Sequence, residues 1–133
     1  IVAKEVALAR FAQDAMQLVF LLNRRYMPYY KWSYRAMRDL PLLAAGVAPE
    51  LERLWAEEVE EGELDPGTRL LREVSPRDRG RAVVVERICA LIVGELRRQG
   101  LSGSTSTFLV ERGEAVQATI TDPDLARIPT QYE

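Results

Sequence analysis

The sequence has no histidine at all and a single cysteine, Cys89. Without imidazole there is no serine–histidine triad, no cysteine–histidine dyad and no zinc site built from the usual ligands. The helical ribonucleases and toxins of this size, which pair an arginine with a histidine, lose their general acid or base and are excluded as well. One thiol permits no intrachain disulfide and fits a reducing, cytoplasmic compartment. Long apolar runs are also missing. The longest are Leu18–Leu22, Ala82–Val85 and Ile88–Val93, far short of the roughly 20 residues that cross a bilayer. Lysine is scarce too, with Lys4 and Lys31 the only two.

What is present suits one folded domain over residues 1–133, with 47% hydrophobic and 29% charged residues. The net charge of −2 argues against general nucleic-acid binding, but it conceals a segregation. Arg24, Arg25, Lys31, Arg35 and Arg38 face only Asp39 between positions 24 and 39. Between Glu50 and Asp65, eight carboxylates face only Arg53. An anion site, if present, is local.

Val2, Val6, Ala9, Ala12, Met16 and Val19 recur at helical spacing and predict a first helix with these residues on one face. The helix becomes apolar nearly all round at Leu18–Leu22, which predicts burial of that turn on several sides. No capping residue precedes it, which reads as a piece of a longer polypeptide. Pro28 breaks or kinks the chain and opens a second helix to about Arg38. Ala44-Ala45-Gly46 then reads as a connector, with Pro49 opening a third helix through Leu51, Leu54, Trp55 and Val59 to Glu61-Gly62. Asp65-Pro66-Gly67 is a turn, and Thr68–Val74 has room for one or two further helical turns. Ser75-Pro76 is an N-cap followed by proline at N1, opening a long helix that ends at Gly100. A last helix runs from a cap at Ser106 to about Thr121, with a strand over Val116–Ile120 as the alternative. Asp122 caps a short turn, and Ile128–Glu133 is extended. The sum is an all-α bundle of four to five principal helices.

Chemistry concentrates at one place. Tyr26, Tyr29, Tyr30 and Tyr34 fall within nine residues, interleaved with Lys31, Trp32 and Arg35. On a helix, Lys31, Arg35 and Arg38 form a cationic stripe, and Tyr30, Tyr34 and Met37 an aromatic one beside it. Rings next to cations can stack a base and hold a phosphate. The same residues also suit a core packed against the acidic segment. Cys89, on the apolar face of the long helix, reads as core. The glutamates from Glu57 to Glu63 read as a solvated face rather than a metal site. Gly103-Ser104 and Asp122-Pro123-Asp124 lack the spacing of a nucleotidyl-transfer centre.

The stretch Leu21–Pro41, LLNRRYMPYYKWSYRAMRDLP, resembles an uncharacterised helical domain that follows a nucleotidyltransferase-like domain in bacterial proteins. ELRRQGLS and FLVERGEAVQ, within Ile88–Ile120, are similar to the closing part of that domain. The resemblance implies a C-terminal module without catalytic residues or cofactor of its own. Its catalytic partner domain, with the carboxylates for Mg²⁺, would lie upstream. It also implies that Tyr29, Tyr30, Lys31, Trp32 and Arg35 contact a nucleotide or acceptor substrate. The rival expectation is a structural module whose aromatic cluster packs a homodimer or a domain interface.

Overall fold

The computed structural model describes residues 1–56, 75–103 and 109–128. They form α1 (Val2–Leu22), α2 (Tyr30–Met37), α3 (Ala44–Arg53), α4 (Pro76–Arg98), α5 (Leu109–Gln117) and the single turn α6 (Pro123–Ala126). The expected all-α architecture holds. Among the described residues there is no strand, and Val116 and Gln117 are helical. The expectations for Val59, the glutamates from Glu57 to Glu63, the turn at Asp65-Pro66-Gly67, Thr68–Val74, the cap at Ser106 and the tail beyond Ile128 lie outside the described residues. Among the described residues, no helix is long and apolar enough to cross a membrane.

One core joins α1 to α4. Val19, Met37, Val47, Leu54, Val84, Ile88 and Ile92 are each within 2% of complete burial. On α4, Val84, Ile88, Ile92 and Leu96 repeat every four residues, the spacing that sets one face against neighbours. Cys89 lies beside that face, as expected, and burial pushes its thiol pKa up.

Only the later part of the apolar face read from the sequence of α1 is packed inside. Ala12 and Val19 are buried and Met16 half-buried, together with buried Ala15, Phe20 and Leu22, whereas Val2, Val6 and Ala9 are exposed. A helix this apolar can bury more than one side, and the positions of α2 and α4 select which. Polar ties hold the N-terminal end of α1 to α4. The Lys4 Nζ donates to the Asp78 carboxylate at 2.6 Å. The buried Arg81 donates through Nη1 to Glu5 at 2.7 Å and through Nε to the Leu54 carbonyl at 2.9 Å. One guanidinium thus joins α1, the end of α3 and α4.

Two boundaries differ from expectation. Ala44-Ala45-Gly46 is the first turn of α3, not a connector, and Pro49 lies inside that helix. Burial of Ala44, Val47, Ala48 and Leu51 along one face outweighs the hydrogen bond that proline cannot donate. Gly46 admits α4 closely here, since a Cβ at this position would lie 3.2 Å from Leu91 Cδ1. The same helix stops at Arg53, so Trp55 lies beyond it, 44% exposed.

The caps of α4 follow the sequence. The Ser75 Oγ accepts from the Asp78 N–H, with Pro76 in the first turn. At the far end, Gly100 has φ 71°, its N–H donates to Arg97 O and the Leu101 N–H donates to Leu96 O. This is the Schellman pattern for which glycine is preferred. Asp122 caps α6 by accepting from the Asp124 and Leu125 N–H groups, which leaves it in the structural role expected.

Candidate functional site

α1 ends at Leu22, five residues short of the expected break before Pro28. Asn23 and Arg24 stop it. Arg24 takes φ 60°, its N–H donates to Leu21 O and the Arg25 N–H donates to Phe20 O. This is a second Schellman cap, with arginine where glycine is usual. The chain runs non-helically to Tyr29, which is extended at φ −48°, ψ 137°, so α2 begins at Tyr30 rather than Pro28. The first backbone bond of the new turn is Trp32 N–H to Tyr29 O at 2.9 Å.

The orientation of α2 is set by its inner side. Ser33 and Met37, four residues apart, are wholly buried. The Ser33 Oγ donates to Tyr30 O at 2.7 Å and contacts Met16 Sδ at 3.7 Å. With that side inward, Tyr30, Lys31, Trp32 and Arg35 face solvent, and Tyr29 precedes them at the N-cap. Tyr29, Tyr30 and Trp32 are 61%, 56% and 59% exposed. The Tyr29 and Tyr30 ring centroids lie 4.6 Å apart, with the planes tilted by 57°.

The expected aromatic stripe is therefore divided. Met37 is core and Tyr30 is surface, so Tyr30 does not carry packing. Tyr34 is half-buried, and its hydroxyl donates to the Glu52 carboxylate. Burial, then Glu52, raises the Tyr34 pKa. The cationic stripe is intact: Lys31, Arg35 and Arg38 are all exposed. Among the described residues none of them forms an ion pair; Glu50 instead meets Arg53 at 3.5 Å and Arg87 at 3.9 Å.

Two of the hollows among the described residues bear on this region, and the sequence reading missed both. One, of about 500 Å³, is lined by Ala9, Ala12, Met16, Tyr34, Leu51, Glu52, Trp55 and Ala56. Its apolar wall is formed by Ala9, Ala12 and Met16 of α1, and no sequence signal distinguishes that wall from core. The other, of about 370 Å³, lies where α1 and α4 end, between Asn23, Arg24, Pro41, Leu42, Arg98 and Gln99. Its cations stand at helix C-termini, where positive charge offsets the exposed carbonyls. Gln99 Nε2 donates both to Leu22 O at 3.0 Å and to Glu95 at 2.8 Å, and Arg98 also donates to Glu95. The bonds from Arg98, then that from Gln99, hold the Glu95 pKa down at about 2. Among the described residues no group of three histidine, cysteine or acidic side chains is placed to hold a metal ion.

Over residues 1–33 the chain is similar to a family model described as a domain of unknown function, DUF4037. That quarter of the chain takes in α1 and the candidate residues Tyr29, Tyr30, Lys31 and Trp32, and stops short of Arg35. No curated protein and no solved structure matched the chain.

Proposed function

We propose that this chain is a non-catalytic helical accessory module of a nucleotidyltransferase-like bacterial protein, and that the outer face of α2 contacts the nucleotide or the acceptor substrate. One observation carries the reading. Three aromatic rings, and two cations that form no ion pair among the described residues, stand in solvent on adjoining turns, while Ser33 and Met37 anchor the same helix from within. Exposed rings beside cations offer a base a stacking surface and its phosphate a counter-charge. In this reading Tyr29, Tyr30 and Trp32 stack, and Lys31 and Arg35 bind phosphate. Mg²⁺ and the catalytic carboxylates belong to an upstream domain, and the parent protein works in the cytoplasm.

The test is nucleotide titration of the full-length protein by calorimetry, with Lys31→Ala and Trp32→Ala beside wild type. Weaker binding at unchanged melting temperature is the expected result, with a smaller salt dependence for Lys31→Ala. Equal affinities in all three proteins at low and high salt overturn the reading. Concentration-dependent dimerisation lost in Trp32→Ala would instead assign the surface to an interface between copies.

A further inference from the structure

Resting on the reading above, the geometry points to a narrower ligand: we propose that the surface from Arg24 to Arg38 binds a short single-stranded nucleic acid, the acceptor, rather than a free nucleotide.

Length argues first. Residues 24–38 contain five cations, Arg24, Arg25, Lys31, Arg35 and Arg38, and no carboxylate. All five are exposed, as are Tyr26 at 93%, Tyr29, Tyr30 and Trp32. The eight residues of α2 span about 12 Å at the helical rise. The non-helical chain from Arg25 to Tyr29 adds up to about 16 Å at the reach of extended backbone. A mononucleotide occupies one ring and the cations beside it. A strand of a few nucleotides can engage rings and cations along the whole stretch.

Composition argues next. The large exposed hydrophobic side chains here are all aromatic; no leucine, isoleucine, valine or phenylalanine lies between 24 and 38. A bilayer-binding face sets leucine or phenylalanine beside tryptophan, and neither leucine nor phenylalanine is present here. Interleaved rings and cations are instead the pattern for tracking an unpaired strand, whose bases are free to stack. A duplex keeps its bases stacked inside and offers these rings nothing. The local footprint is compatible with an overall charge of −2, because only this surface meets the strand.

The experiment titrates the full-length protein with single-stranded octa-adenylate, a duplex of equal length, and ATP, reading anisotropy and tryptophan quenching at 50 and 200 mM salt. Octa-adenylate should bind at least tenfold more tightly than either competitor. Trp32→Ala should weaken it at least fivefold, the lower end for loss of one stacked base. Lys31→Ala should reduce the salt slope by about 0.7, the value for one phosphate contact on a single strand. If ATP binds as tightly as octa-adenylate and both depend on Trp32, the strand proposal falls and the nucleotide-contact reading stands. If the duplex binds equally well, or strand binding ignores Trp32 and Lys31, the strand proposal also falls. If neither ligand responds to these substitutions, both readings fall together.

Discussion

Asn23 and Leu42 are bonded in both directions: the Asn23 Nδ2 donates to the Leu42 carbonyl at 2.9 Å, and the Leu42 N–H donates to Asn23 Oδ1 at 2.9 Å. The same Nδ2 reaches Val19 O at 2.7 Å, a carbonyl that also accepts from the Asn23 backbone N–H at 3.1 Å. Beyond Leu42 the chain turns through Leu43 at φ 67°, with the Ala44 N–H donating back to Leu42 O at 2.9 Å. This three-residue turn is one a leucine adopts only under constraint. One amide therefore ends α1 and pins the turn that starts α3, and α2 with its exposed face spans the interval.

Asn23→Ala should cost about 2–3 kcal/mol in urea melts, because three hydrogen bonds go and the groups they served stay partly buried. Asn23→Asp should be no better, since a carboxylate cannot donate and sits against the carbonyl end of a helix. If Asn23→Asp matched wild type, the donor role assigned to Nδ2 would be wrong.

Arg24→Gly should raise stability by about 0.5–1 kcal/mol. Arginine pays a steric penalty at φ 60° that glycine does not, offset in part by the greater freedom of glycine in the unfolded chain. Nucleic-acid binding should weaken in the same variant, so a melt and a titration on one sample separate the two roles of this residue.

Glu95 gives the fold an acid-sensitive contact. Its pKa lies near 2 in the fold, below the ordinary value of 4.5, so the contribution is complete above about pH 5 and is lost as pH falls toward 2. Glu95→Gln should cost about 1.5–3 kcal/mol at neutral pH, the range for hydrogen bonds to a charged group. The gap to wild type should close on acidification. A gap independent of pH would assign the loss to packing.

Trp32→Ala and Tyr30→Ala should each change stability by less than about 1 kcal/mol, as surface substitutions do. Met37→Ala, on the same helix but wholly buried, should cost about 2–5 kcal/mol. Thermal melts of the three proteins check whether the outer face of α2 is free of structural duty.

Much of the architecture is written locally. Ser75-Pro76 and Gly100 delimit α4 because capping and positive φ depend on a few adjacent residues, and Asp122 declares its own turn in the same way. The clustering of Tyr29, Tyr30, Lys31, Trp32 and Arg35 is likewise visible without coordinates. What needed tertiary structure was which side of a helix turns inward. Val2, Val6 and Ala9 have the same period as the residues α1 actually buries, and Tyr30 is as apolar as many core residues. Periodicity gives the angle between side chains but not the direction of the neighbour, and burial energy is realised only where a neighbour lies. Pro49 within α3 and the end of α1 at Asn23 have the same origin. The packing of Val47 and Leu51 outweighs a local breaker, and a hydrogen bond to Leu42, nineteen positions away, makes an ordinary asparagine the end of a helix.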